Sequence, residues 1–244
     1  MKDMDSLLAQ VLAFRPNRLV PPFDLQGHIP FVAWLVKELQ PATFVQLGTQ
    51  SGNLYFAACQ TVAENSLPTR CWAVGTWQAE ELAQRHSVQQ EAGASDYNRQ
   101  HFGAFSGLLR MGDAQALPRF APGSIDLLLI DGRYSPETVR NEYESWRDRL
   151  SDHAVVLLVG IEQADSGAVA LWQQLQPQYP HLAFAHAQGL GVLAVGRNVP
   201  KAFQQALQAC AAPEARNQLA GVADMLLGAQ VQAGMQAQIE ALTA

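Results

Sequence analysis

Short runs of Val, Leu and Ile recur along the chain, separated by longer stretches where apolar residues return every three or four positions. Thr43–Leu47, Cys71–Val74, Leu108–Met111, Ile125–Ile130 and Ala154–Val159 read as strands. Their hydrophobicity is nearly continuous rather than alternating, as a parallel strand requires when helices cover both faces of its sheet. Between them, Gly52–Glu64 and Pro136–Arg149 read as crossover helices; in the second, Val139, Tyr143 and Trp146 recur at helical spacing behind a Ser135-Pro136 start. Alternating strand and helix predicts an open α/β sheet. Two further strands, Leu182–His186 and Val192–Val195, are joined by Gln188-Gly189-Leu190-Gly191. So short a glycine-containing link predicts a hairpin, which makes one strand antiparallel to the rest.

The flanks have a different texture. Pro30–Leu39 reads as a helix presenting Phe31, Trp34, Leu35 and Leu39. From Lys201 the chain is rich in Ala and Gln; Phe203, Ala206, Leu207 and Cys210 share one helical face, and Pro213 restarts a helix. Leu219, Val222, Leu226, Ala229 and Ala233 then form one stripe, with Val231, Met235, Ile239 and Leu242 on a neighbouring one. Two stripes exceed what one surface helix hides, so the tail is expected either to fold back on the domain or to bind a protein partner or a second copy as a bundle element. The expected organisation is N-terminal helices over 1–40, an α/β domain over 41–197 and a helical extension over 198–244.

Composition narrows the function classes. Of 244 residues, 48% are hydrophobic and 16% charged, which argues for a folded domain rather than disorder. Sixteen Lys and Arg against 22 Asp and Glu leave a net charge of −6, without the basic footprint of a nucleic-acid binder. The longest apolar run, Ala154–Gly160, is far short of the ~20 residues that span a bilayer. Acids at Asp3 and Asp5 stand where a signal peptide needs net positive charge, so a cytoplasmic protein is expected. Cys59, Cys71 and Cys210 are odd in number and form no CxxC, so neither a disulfide framework nor a zinc site is expected.

Chemistry is suggested first by Val45-Gln46-Leu47-Gly48-Thr49-Gln50-Ser51-Gly52, a strand, a turn and a helix start. Gly48 lets the backbone come close to a ligand, and Gly52 opens a helix whose free N–H groups attract an anion. The turn lacks the G-x-G-x-x-G of dinucleotide binders, which leaves a nicotinamide-dependent oxidoreductase remote. Together with Arg70–Trp77, Gly123–Gly132 and Gly189–Gly196, the segment Phe44–Thr49 resembles the class I S-adenosylmethionine (SAM)-dependent methyltransferases of family 24. The resemblance covers roughly residues 28–197. It implies a Rossmann-like sheet of seven strands whose last hairpin inserts the final strand antiparallel, SAM as cofactor, and a setting near cell-surface polysaccharide biosynthesis.

On that resemblance Gln46, Gly48, Thr49, Gly52, Gly75 and Asp113 are the cofactor-binding positions, and Asp131 and Glu162 the catalytic candidates; no metal ligands are implied. Several positions depart from the family pattern. Gln46 stands where the first strand usually delivers an acid, and Gly75 where an acid holds both ribose hydroxyls. Hydrogen bonds to a charged group contribute ~1.5–3 kcal/mol each, so losing two weakens cofactor binding by roughly 3–5 kcal/mol. Asp131-Gly132-Arg133-Tyr134 replaces Asp-Gly-x-His, and Val159-Gly160-Ile161-Glu162 replaces a fifth-strand end in His-Asp. Asp131 then serves as base or ligand, or only as a turn residue. Asp113 either reads the adenine amino group or caps the helix that follows it. The expectation is a methyltransferase-like protein that has become a non-catalytic binding or assembly module, binding SAM weakly or not at all. The alternative is an active O-methyltransferase acting on a sugar or polysaccharide intermediate.

Overall fold

The computed structural model describes residues 9–11, 13–49, 51–76, 84–131, 134–221, 225, 228 and 232, with backbone alone at 84–92, 202, 206 and 209. Seven strands form one sheet: β1 (Thr43–Leu47), β2 (Arg70–Gly75), β3 (Ser106–Arg110), β4 (Ile125–Asp131), β5 (Leu150–Val159), β6 (His181–Phe184) and β7 (Leu190–Ala194). Their order is β3-β2-β1-β4-β5-β7-β6, and β7 runs antiparallel to both β5 and β6. The order reverses between β1 and β4, which opens a crevice at the carboxyl ends of those two strands.

Side chains leave each strand alternately for two helical layers. Phe44, Leu127, Leu129, Val155, Leu157 and Val159 join the core under α1 (Ile29–Leu39) and α2 (Asn53–Glu64), with Ala94 and Phe102 from the region of α3 (Gln84–His101). Val45, Leu47, Leu128, Ile130, Val156 and Leu158 join the opposite core. That second core lies under α5 (Pro136–Trp146) and α6 (Gly167–Leu175), with the single turn α4 (Asp113–Ala116) at its edge. A strand with large apolar residues at every position is what this double covering demands.

The boundaries differ from the expected ones where polarity hides a strand. β5 begins four residues before Ala154, because its first residues Ser151–His153 are polar and carry a register shift against β4. β7 begins at Leu190 rather than Val192, since the turn is made by Ala187, Gln188 and Gly189, all with positive φ. Helix α5 stops at Trp146 and continues as a 3-10 turn through Arg149.

The flanking segments share the first core. Val11, the buried face of α1, and Phe203, Leu207 and Cys210 of α7 (Lys201–Cys210) belong to one apolar cluster with the sheet, as does Leu219 from the helical stretch 213–221. The expected stripes at Val222, Leu226, Ala229 and Ala233 and at Val231, Met235, Ile239 and Leu242 lie outside the described residues, as do Gly132, Arg133 and Trp77. All three cysteines are buried free thiols. Among the described residues no helix is long and apolar enough to cross a membrane.

Candidate functional site

A narrow cleft opens in the crevice between β1 and β4, floored by Gln46, Leu129 and Val159 and walled by Gly48, Thr49, Ser51, Asn53 and Asp131. Strand β1 delivers its last inward residues directly into the turn. Gly48 has φ +74° and its N–H donates to the Val74 carbonyl, tying the turn to β2. A Cβ at Gly48 would stand 2.9 Å from the Cβ of Asp131 and 3.7 Å from the Tyr134 hydroxyl, so β4's tip closes directly over this backbone. Gly52, with φ +76°, is the N-cap of α2 and supplies no capping side chain. A side chain there would be strained and would meet the Phe56 ring.

Two polar side chains in the cleft are buried without a protein partner for one of their oxygens. Gln46 is 4% exposed; its amide N–H donates to the Gly48 carbonyl at 3.3 Å while its Oε1 has no partner. Thr49 is 5% exposed and its Oγ1 is likewise unpartnered. Buried polar groups are otherwise almost always hydrogen-bonded, so these two oxygens are open to a donor from outside the protein.

The opposite wall comes from a segment that sequence reasoning did not single out. Pro22, Asp24 and Leu25 line the cleft from a strap running over residues 13–28. Asn53 at the start of α2 holds the strap through its side chain, accepting from the Val20 N–H and donating to the Val20 and Pro22 carbonyls. Gln60 accepts from the Asn17 N–H and donates to the Arg15 carbonyl, and Arg18 donates to the Ser51 carbonyl. At its far end the strap is joined to the β6–β7 turn: Gln188 donates to Asp24, and His28 and His186 each bond the other segment's backbone. The available signal was a Pro-punctuated stretch, Pro16 to Pro22, too interrupted for a helix yet carrying Arg18 and followed by Asp24.

The other candidates are distributed around this centre. Gly75 ends β2 beside the turn, and the nearest heavy atom to a Cβ placed there is the Thr49 nitrogen at 3.9 Å. An acid at position 75 therefore has room; Gly75 simply offers none. Asp131, 2% exposed, lies in the cleft wall as the last residue of β4. Glu162 is exposed on the loop after β5, its N–H donating to the Gln188 carbonyl, and it does not line the cleft with Asp131. Asp113 does not cap α4, whose N-cap is Gly112 without a side-chain hydrogen bond. Its carboxyl lies instead beside that of Glu142, and burial pushes its pKa up. Burial first, and then the neighbouring Asp113 and Asp131, push the Glu142 carboxyl up to about 9. Among the described residues no group of His, Cys, Asp and Glu is arranged to hold a metal ion. His28, in the strap, is fully buried and its imidazole is pushed down to about 3, chiefly by burial and then by His186.

Comparison with known proteins bears on this arrangement. An uncharacterized protein of Sinorhizobium fredii, y4gI, is 36% identical over 197 residues; the match takes in 80% of this chain and 22% of that protein. The chain thus spans about a fifth of the length of this relative. The S-adenosylhomocysteine (SAH)-bound methyltransferase PaMTH1 of Podospora anserina superposes with a TM-score of 0.53 at 12% identity, over 77% of this chain and 86% of that one. Cofactor-bound Rv0187 from MTB gives 0.50 at 16% identity, over 79% and 89%. Residues 45–158 match the family described as "Methyltransferase domain", and the seven-stranded sheet with its antiparallel β7 has the Rossmann-like class I methyltransferase fold.

Proposed function

We propose that the cleft between β1 and β4 binds SAM or SAH, gripping the amino-acid end more firmly than the ribose, and that the chain works as a methyltransferase-like binding module. The observation that carries this reading is the pair of buried, unpartnered oxygens, Gln46 Oε1 and Thr49 Oγ1, beside the close backbone approach at Gly48. These residues fit a ligand with an ammonium and hydroxyl groups to donate: Gln46 Oε1 and Thr49 Oγ1 both accept, and neither adds charge. When bound, SAM supplies an activated methyl on a sulfonium. Gly75, at the end of β2, itself offers no carboxylate for the ribose, which is why the grip is uneven.

Calorimetric titration tests this reading. SAH should bind the wild-type chain, and Gly75→Asp should tighten it by 10- to 100-fold, since a carboxylate there gains one or two charge-assisted hydrogen bonds of ~1.5–3 kcal/mol. No heat at millimolar SAH, in either protein, would defeat the proposal.

A second reading, methyl transfer to a hydroxyl, is favoured by one feature: Asp131 and Tyr134 converge over Gly48. Asp131 is then the group that takes the hydroxyl proton, a role worth ~10²–10⁴-fold in rate. Transfer of labelled methyl to sugar hydroxyls, abolished by Asp131→Asn with SAH affinity unchanged, would establish it.

A further inference from the structure

On the side of α5 and α6 the two halves of the sheet are covered unequally. Strands β4 and β5 lie beneath those two helices. Over β2 and β3, among the described residues, there are only the single turn α4 and the 3-10 turn Leu117–Arg119. A large side chain of β2 facing this way has no full helix to bury it, and Trp72 is that side chain. Its partner in the register on β3 is Gly107, and the indole lies over that bare backbone in the space a Cβ would take. Phe120 meets the indole edge-on, with ring centroids 6.2 Å apart and planes at 86°. Even so, Trp72 stays half-buried.

Beside the indole is a cavity of about 500 Å³, at the amino ends of β1 and β2 where Thr43 and Arg70 begin those strands. The Gln46–Asp131 cleft lies at the other end of β1 and shares no residue with it. Trp72, Leu109 and Phe120 give the cavity apolar walls, and Arg70 and Arg119, both exposed, bring two positive charges to it. One N–H of Arg70 is used on the Ala104 carbonyl at 2.7 Å. Among the described residues neither arginine pairs with a carboxylate, and none lines the cavity. The volume is that of a small-molecule pocket, roughly 300–1,000 Å³. An uncharged ring would leave the guanidinium groups unused, and a small inorganic anion would leave the indole bare. A flat ring carrying negative charge meets both.

We propose that this cavity is a second binding site, for a small planar aromatic anion, with the ring against Trp72 and Phe120 and the acidic group met by Arg70 and Arg119. The acidic group is a carboxylate, sulfonate or phosphate, each of which takes the paired N–H donors of a guanidinium. The proposal stands apart from the cofactor reading, because it uses other residues at the other end of the sheet.

The test compares two probes that share a ring and differ in charge. Each of the five tryptophans gives one indole N–H signal in a proton–nitrogen correlation spectrum, and a Trp72→Phe protein assigns that of Trp72. In wild type, 2-naphthalenesulfonate should move the Trp72 signal saturably, with a Kd below about 1 mM. The uncharged 2-naphthalenemethanol should bind at least about fivefold more weakly. Arg70→Gln and Arg119→Gln should each weaken the sulfonate by about three- to tenfold and leave the alcohol within about twofold. Equal affinity for the two probes overturns the site, as does a Trp72 signal unmoved by about 10 mM sulfonate, and neither result needs a variant to fold. Arginine variants that bind the sulfonate as tightly as wild type overturn it too. A Trp72 signal that shifts when the protein is concentrated without probe assigns the cavity to a second copy of the chain and overturns the small-ligand site. A chain that binds SAH and not the sulfonate defeats this proposal and leaves the cofactor reading standing.

Discussion

Glu142 shows how far one residue's environment can depart from its type. It lies on α5 where a solvated glutamate would be ordinary, yet its carboxyl faces Asp113, with Asp131 beyond, and its Oε2 has no partner. The pair holds a proton well above the usual carboxylate range. A carboxyl whose folded pKa is raised binds more protons folded than unfolded, so stability falls as pH rises between about 4.5 and about 9. Glu142→Gln mimics the protonated form and can donate to Asp113. The variant should therefore match wild type near pH 5 and gain on it steadily toward pH 9, by at least about 1 kcal/mol there, or roughly 2–4 °C and more in Tm for a domain of this size. Thermal melts across that range check this; a difference constant with pH would contradict the shared proton. Nothing in the sequence announced the pair, because Asp113 and Glu142 are brought together only when α4 docks on α5. Gly48 and Gly52, by contrast, were legible: their spacing after an apolar strand requires a turn that only glycine makes easily.

At the scale of elements, the strands were legible and the strap was not. Buried parallel strands must be apolar at nearly every position, so β1, β4 and most of β5 stand out from their surroundings. The overhang of β5 before Ala154 is polar and carries no such mark. The strap has no period at all, because it is held by side chains reaching to its backbone rather than by its own hydrogen-bond ladder. Asn53 makes three of those bonds. Asn53→Ala should cost about 1.5–3 kcal/mol, taking a net ~0.5–1.5 kcal/mol for each bond and allowing for partial rescue by water. It should also expose residues 13–28 to limited proteolysis while the sheet stays folded. Loss of stability without new cleavage in that segment would show that the strap is held elsewhere, through His28 and Gln188 for example.

For the molecule as a whole, pattern identified the architecture and only partly identified the site. Buried strands alternating with helices predicted an open α/β sheet, and one short hairpin predicted an antiparallel strand; the seven-stranded topology was implied by the family resemblance. The cleft falls where the order reverses, and Gln46, Gly48, Thr49 and Asp131 meet there because they stand at or just after the ends of β1 and β4. Asn53 belongs to the same place for a different reason: it holds the strap that crosses the sheet's carboxyl edge, a long-range contact that no local spacing encodes. The account's central claim is that this cleft holds the adenosyl amino acid by its amino-acid end. A crystal structure of the chain with SAH tests it most directly. The account predicts the ammonium on Gln46 Oε1 and the ribose hydroxyls beside Gly75, which has no carboxylate to bind them. SAH seated with its ribose held by acidic side chains and its amino-acid end clear of Gln46 would contradict it.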